Sequence, residues 1–179
     1  MSRLGKSAAD FALADTTGAF RQLGDYRGRW LHLVFLRHLG CPSCRAYLAY
    51  LATHQAEIAA LGVDVLAVTF EDVDRARRYH AETKMPWPLV VDADRAVYRA
   101  YGMTTGTWRE LYGPRAIWHY LTVLLRGTRV RWPTGDTSQL GGDVLVDPQG
   151  IVRFEQVAAP GGRPTFETLA GTVREGKQV

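Results

Sequence analysis

The chain has 179 residues, of which 46% are hydrophobic and 22% are charged. This balance excludes a disordered chain, and the length favours one globular domain, residues 1–179, over two. The longest apolar runs, residues 30–36 and 121–125, are too short to span a bilayer, and no apolar stretch near the start is long enough for a signal peptide. We therefore expect a cytoplasmic protein with no membrane partner.

The formal net charge of +4 is compatible with an anionic partner but identifies none. The densest basic stretch consists of Arg126, Arg129 and Arg131, next to Trp132. No nucleic-acid-binding motif accompanies these charges, so we interpret the stretch as a solvated loop. We expect no nucleic-acid partner.

The first half of the chain shows alternating strand and helix patterns. Short strands are expected at residues 11–13 and 20–23, where glycines punctuate the chain. The elements that follow are a buried strand at 30–36, a long helix at 42–61, a second buried strand at 63–70 and a charged helix at 72–84. His32 interrupts the first buried strand, and we interpret it as a core histidine with a hydrogen-bond partner rather than as a ligand.

The second half is less regular. Residues 89–91 fit either an added strand or an extended loop, and residues 94–101 fit a short helix. Glycines and prolines break residues 103–140, which we interpret as an insertion with one good helix at 117–125. A turn at 147–150 predicts a hairpin between strands 143–146 and 151–157, and a last helix follows Pro164. This order predicts an α/β fold with a central mixed β-sheet and helices on both faces.

The chemistry-bearing motif is Cys41-Pro42-Ser43-Cys44, at the junction of the first buried strand and the long helix. Free N–H groups and the helix dipole stabilise a thiolate there, and proline suits the first helical position. Arg37, His38 and Arg45 surround the motif, and no acidic residue occurs between positions 30 and 51. The local charge therefore favours thiolate over thiol.

The two thiols are expected to differ. Cys44 precedes Leu48 by four residues and so lies on the inward face of the helix, whereas Cys41 is expected near the surface. In thiol-disulfide exchange Cys41 would attack and Cys44 would resolve the mixed disulfide, while peroxidase chemistry calls for the opposite assignment. Metal binding is a competing use of the motif, but zinc sites usually recruit more cysteines or nearby histidines, so we expect no metal. A structural role for two buried cysteines also remains open.

Three segments carry a family resemblance: RHLGCPSCR at residues 37–45, MPWPLVVDADRAVYRAYG at 85–102 and GDTSQLGGDVLVDPQGIVRFE at 135–155. With the stretch from Phe11 to Arg37, they resemble peroxiredoxins of the alkyl hydroperoxide reductase and thiol-specific antioxidant (AhpC/TSA) superfamily, in its peroxiredoxin-like 2 or selenoprotein U-like branch. The resemblance implies a thioredoxin-like fold. It also implies that, with Cys44 in the peroxidatic position, Arg37 and Cys41 replace the family's proline and threonine. The family's later arginine has no match, because Gly141 and Gly142 stand there.

Together the motif and the resemblance predict an oxidoreductase that uses Cys41 and Cys44 to reduce a peroxide or a disulfide, in an antioxidant or redox role. Arg37, His38, Pro42 and Arg45 are the expected supporting residues. A thioredoxin- or glutathione-type reductant would restore the dithiol, no cofactor is expected, and the resemblance is compatible with a homodimer. The alternative is a redox-sensing or binding module of the same fold that lacks efficient turnover.

Overall fold

The protein is described by a computed structural model that covers residues 2–125 and 135–177. A hairpin of β1 (Ala12–Ala14) and β2 (Phe20–Gln22) precedes a separate five-stranded sheet. The strands of this sheet are β3 (Trp30–Phe35), β4 (Val63–Thr69), β5 (Leu89–Val91), β6 (Gly141–Val146) and β7 (Val152–Ala158). The basic stretch at 126–131 lies outside the described residues.

The strand order is β5-β4-β3-β6-β7. β3, β4 and β5 run parallel, whereas β6 runs antiparallel to β3 and β7 antiparallel to β6. The predicted mixed sheet is therefore confirmed, and the segment 89–91 is a strand. β6 begins at Gly141, two residues earlier than predicted.

Seven α-helices are found in the described part of the chain. They are α1 (Pro42–Thr53), α2 (Gln55–Ala60), α3 (Val73–Thr83), α4 (Ala96–Ala100), α5 (Trp108–Tyr112), α6 (Pro114–Leu125) and α7 (Phe166–Gly176). Every residue of β3 is buried, because the sheet is covered on both faces. Leu33 and Phe35 pack in the cluster that includes Tyr98 of α4, whereas Val34 packs in the cluster that includes Leu48 of α1.

The single long helix predicted at 42–61 is wrong, because the chain breaks at His54 between α1 and α2. The Thr53 hydroxyl donates to the Tyr50 carbonyl at 2.7 Å, and the His54 N–H donates to the Leu51 carbonyl, only three residues back. The His54 ring also stacks on Phe166 at 4.7 Å. These local bonds compete with the regular helical ladder, and helical periodicity does not reveal them.

The described parts of the region, residues 103–125 and 135–140, hold two helices where one was predicted. α5 begins with a capping box in which Thr107 and Glu110 bond reciprocally, and α6 begins at Pro114 instead of residue 117. α6 packs against α1, which places the α6 residue Tyr120 next to the cysteine motif. No helix among the described residues is both long and apolar enough to cross a membrane.

Candidate active site

The two cysteines lie together at the start of α1. Cys41 is the N-cap residue, Pro42 occupies the first turn and Cys44 follows on the same turn. Both cysteines are free thiols, and their side chains are 3.3 Å apart. Closing a disulfide requires an S–S distance of about 2.05 Å. The pair is therefore placed to bridge with a small local shift.

The expected exposure of Cys41 is wrong. Cys41 is 0% exposed and Cys44 is 2% exposed, so both thiols are buried. The Arg37 guanidinium lies 3.9 Å from Cys41 Sγ and is itself buried. Helical periodicity indicates only which residues of α1 face the sheet. The Arg37 side chain that lies against Cys41 comes from the loop before the helix, so the periodicity does not reveal it.

The pKa values of the two thiols shift in opposite directions. The hydrogen bond from the Cys41 thiol lowers the pKa of Cys44 well below that of an ordinary cysteine, and the nearby Arg163 guanidinium lowers it further against the opposing effect of burial. The same hydrogen bond, together with burial, raises the pKa of Cys41 well above its ordinary value. These opposite directions favour Cys44 over Cys41 as the thiolate of the pair.

Arg163 lies in the loop between β7 and α7, and the sequence analysis did not identify it. Its Nη2 lies 3.7 Å from Cys44 Sγ and donates to the Phe35 carbonyl at 2.6 Å, while its Nη1 donates to the Gly142 carbonyl at 2.7 Å. The guanidinium also lies over the Tyr47 ring, 5.2 Å from its centroid. The family's later arginine has no match at Gly141 and Gly142, but Arg163 brings a guanidinium to Cys44 from a different segment.

The two glycines at the start of β6 leave room for two different side chains. A side chain at Gly141 would meet Arg163 Nη2 at 2.7 Å and would also collide with the Phe35 carbonyl. A side chain at Gly142 would meet the Met103 thioether at 2.5 Å. Gly141 thus leaves the room that Arg163 occupies, whereas Gly142 leaves room for Met103.

Asp143 holds the other side of Arg163. Its carboxylate accepts from Arg163 Nη1 at 2.9 Å and lies 2.9 Å from His32 Nε2, and both His32 and Asp143 are buried. Although burial alone would raise the pKa of Asp143, Arg163 and the His32 hydrogen bond lower it below its ordinary value. His32 is therefore the partnered core histidine that was predicted.

Arg37 contacts both sulfurs with different atoms. Its backbone N–H donates to Cys44 Sγ at 3.4 Å, whereas its Nη1 lies 3.9 Å from Cys41 Sγ. The guanidinium also donates to Tyr120 Oη at 2.7 Å and to the Gln139 and Thr137 carbonyls. Arg37 therefore joins the dithiol to α6 and to the segment that precedes β6.

The other residues that were expected to support the motif have different surroundings. The His38 carbonyl accepts from the Cys41 N–H at 3.0 Å, and burial lowers the pKa of the His38 ring, which favours its neutral form. Arg45 lies towards α3, where it pairs with Glu82 at 3.2 Å and covers the Tyr79 ring.

Although no acidic residue is close to the cysteines in the sequence, two acidic side chains lie near them in the folded chain. Asp143 balances Arg163, and Glu71 accepts from the Leu39 N–H at 2.6 Å. Within residues 2–125 and 135–177, no three His, Cys, Asp or Glu side chains are grouped so that they could hold a metal ion.

Relatives of the chain include oxidoreductases of two kinds. The chain is 28% identical over 147 residues to the chloroplastic thioredoxin-like protein AAED1 of Arabidopsis thaliana, and the match covers 78% of this chain and 59% of that protein. It is 28% identical over 180 residues to the selenocysteine-containing peroxiredoxin PrxU of Peptoclostridium acidaminophilum, and this match covers 94% of this chain and 75% of that protein. A third relative is the thiol-disulfide oxidoreductase ResA of Geobacillus thermodenitrificans, at 31% identity over 56% of this chain and 58% of that protein. The chain thus spans less than two thirds of the first and third relatives.

The fold is shared with solved structures of low sequence identity. The peroxidoxin BcpB from Mycobacterium tuberculosis superposes with a TM-score of 0.71 at 16% identity, with 98% of each chain covered. A putative thiol:disulfide interchange protein DsbE from Chlorobium tepidum gives a TM-score of 0.67 at 21% identity, again over 98% of both chains. These neighbours and the five-stranded sheet establish the thioredoxin-like fold. The relatives support a thiol-dependent redox role, and the model of the AhpC/TSA family matches residues 4–155, so the chain belongs to the AhpC/TSA family.

Proposed function

We propose that the protein is a thiol-dependent oxidoreductase in which Cys44 attacks a peroxide and Cys41 then closes a disulfide with it. The observation that carries this proposal is the set of groups around Cys44 Sγ: the Cys41 thiol at 3.3 Å, the Arg37 backbone N–H at 3.4 Å and Arg163 Nη2 at 3.7 Å. Hydrogen-bond donors and a cation stabilise a thiolate, which is the nucleophilic form of cysteine. This assignment reverses the order of attack expected for thiol-disulfide exchange.

The reaction balances without a cofactor. The Cys44 thiolate attacks one peroxide oxygen, the O–O bond breaks, and the departing oxygen takes up a proton while Cys44 becomes a sulfenic acid. The Cys41 sulfur then attacks the sulfenic sulfur, the S–S bond forms, and the hydroxyl leaves as water. The peroxide gains two electrons and the two cysteines lose them. A thioredoxin-type dithiol, or two glutathione-type thiols, returns the two electrons.

Burial favours a peroxide over a protein disulfide as the first substrate. An attacking sulfur must come within bonding distance of the atom that it attacks, and Cys44 is only 2% exposed. A peroxide oxygen is small enough to reach such a sulfur, whereas a protein disulfide brings its own backbone with it. Disulfide reduction is the second candidate, because ResA is named as a thiol-disulfide oxidoreductase.

Single cysteine variants test the proposal. Peroxide consumption is measured with thioredoxin and thioredoxin reductase in one arm, and with glutathione and glutathione reductase in the other. We expect Cys44→Ser to lose at least about 100-fold in the rate of reaction with peroxide, since the nucleophile is gone. Cys41→Ser keeps the first step and accumulates a sulfenic acid that dimedone traps.

The outcomes separate the candidate functions. Equal peroxide rates for the parent and Cys44→Ser contradict the proposal. Loss of the rate in Cys41→Ser, with full activity in Cys44→Ser, supports the thiol-exchange order instead. Oxidation to the disulfide with no turnover in either reductant arm supports the redox-sensing module.

A further inference from the structure

Each of the two buried arginines faces a different sulfur. Arg163 Nη2 lies 3.7 Å from Cys44 Sγ, and Arg37 Nη1 lies 3.9 Å from Cys41 Sγ. Arg163 is held by Asp143 and by two backbone carbonyls, of Phe35 and Gly142, on the β3 and β6 side of the site. These bonds hold its guanidinium beside Cys44, so Arg37 is the arginine that contacts Cys41.

The guanidinium of Arg37 is fixed from the opposite side. Its Nε and Nη2 donate to the Gln139 and Thr137 carbonyls at 3.2 and 2.8 Å, and its Nη1 donates to Tyr120 Oη at 2.7 Å. The same Nη1 faces Cys41. The Tyr120 hydroxyl, carried by α6, therefore orients the nitrogen that lies closest to the Cys41 sulfur.

The second step of the reaction requires Cys41 to ionise, although the pKa of this thiol is raised in the resting site. Once Cys44 is a sulfenic acid, the attacking group is Cys41, which reacts as a thiolate. Burial opposes ionisation of this thiol, and a nearby cation offsets that cost. Arg37 is the cation that the structure places beside it.

We propose that Arg37 serves the disulfide-closing step by stabilising the Cys41 thiolate that attacks the Cys44 sulfenic acid, and that Tyr120 is the positioning residue that holds its guanidinium there. The step balances, because the proton lost by Cys41 leaves with the Cys44 hydroxyl as water. The inference rests on the proposed function for the identity of the second step. It assigns the α6 region a part in the chemistry.

The titration of Cys41 involves groups from four elements. Cys44 belongs to α1, Arg37 to the loop after β3 and Tyr120 to α6, and Tyr79 of α3 also interacts with the Cys41 charge. Removing Cys44 separates the effect of Arg37 from that of the neighbouring thiolate. We therefore place the test in a Cys44→Ser background.

The experiment measures the rate of iodoacetamide alkylation of Cys41 against pH in the full chain carrying Cys44→Ser. We expect Arg37→Met to slow the alkylation at pH 7 by about tenfold or more, because an adjacent opposite charge typically shifts a pKa by one to three. Tyr120→Phe should slow it by roughly threefold to tenfold, because the ring stays and only the hydroxyl is lost. Arg37→Lys should recover most of the rate, since it keeps the charge.

Tyr101→Phe is the matched control, because it removes a hydroxyl that donates to the Ala9 carbonyl at 2.8 Å on the other side of the sheet. It should leave the Cys41 profile unchanged. Identical profiles for the Cys44→Ser parent, Arg37→Met and Tyr120→Phe would overturn the inference. Equal slowing by Arg37→Lys and Arg37→Met would also overturn the inference. It would show that retaining the positive charge makes no difference to Cys41, as expected if Arg37 had only a structural role.

A second readout uses the chain with both cysteines. After a peroxide pulse, dimedone trapping should show a sulfenic acid that persists several times longer in Tyr120→Phe than in the parent or in Tyr101→Phe. Failure of Cys44 to react with peroxide would contradict the proposed function, yet the Cys41 profile would still decide whether Arg37 ionises Cys41. The two failures are therefore distinguishable.

Discussion

Arg163 Nη2 lies 3.7 Å from Cys44 Sγ, although 119 positions separate the two residues in the chain. The guanidinium reaches the sulfur across β6, past the two glycines that begin that strand. Its charge is balanced by Asp143 on the far side, which itself contacts His32. A residue from the loop before α7 therefore helps to lower the pKa of Cys44.

Removing the Arg163 charge tests its effect on Cys44 directly. Arg163→Met should raise the pKa of Cys44, because the adjacent cation that favours the thiolate is lost. The measurement is the pH profile of Cys44 alkylation, followed by mass spectrometry of the labelled peptide. Arg153→Met is the control, since Arg153 also pairs with a buried aspartate, Asp147, at 2.6 Å. An unchanged pH profile of Cys44 alkylation in Arg163→Met would show that Arg163 does not lower the pKa of Cys44.

Asp143 is expected to contribute strongly to stability. Asp143→Ala leaves Arg163 buried without its carboxylate partner, and breaking a buried pair typically costs about 3–5 kcal/mol. Urea unfolding measures the loss. Asp74→Ala is the control, because the Asp74–Arg77 pair is exposed and should contribute about 1 kcal/mol or less. A loss from Asp143→Ala as small as that from Asp74→Ala would show that Arg163 does not need this carboxylate.

The same carboxylate gives the stability a pH dependence. The pKa of Asp143 is lower in the folded chain than in the unfolded chain, so the folded state favours the ionised form. The stabilisation is fully present above the unfolded value of about 3.9 and is lost as the pH falls through the lower folded value. Acid unfolding of the parent should therefore be steeper in this range than that of Asp143→Ala, and equal slopes would contradict the assignment.

Gly141 is expected to be essential for the position of Arg163. Gly141→Ala places a methyl group against Arg163 Nη2 and the Phe35 carbonyl, and overpacking of this kind typically costs about 1–3 kcal/mol. It should also raise the pKa of Cys44, because the guanidinium is displaced. Gly171→Ala in α7 is the control, since a methyl group there meets no atom within 4 Å. Alkylation of Cys44 at the parental rate in Gly141→Ala would show that the position of the Arg163 guanidinium does not depend on Gly141.

Sequence patterns predict the sheet well, because β3 and most of β4 are buried and therefore appear as largely apolar runs. The cysteine motif is likewise visible, since its helix start is local. Helical periodicity fails for the exposure of Cys41, because Arg37 covers that thiol from outside α1. It also misses Arg163, whose partners lie on three other elements. The signal that points to Arg163 is Gly141, where the missing side chain leaves room for its guanidinium.

The most direct test of the account is the alkylation of each cysteine in the fully reduced parent chain at a series of pH values, resolved by mass spectrometry. Cys44 is expected to be labelled first, at pH values below the ordinary thiol pKa of about 8.5, because its pKa is lowered, while Cys41 remains unlabelled. Labelling of Cys41 before Cys44 would contradict the assignment of the nucleophile. Labelling of both only near the ordinary thiol pKa of about 8.5 would contradict a stabilised thiolate altogether.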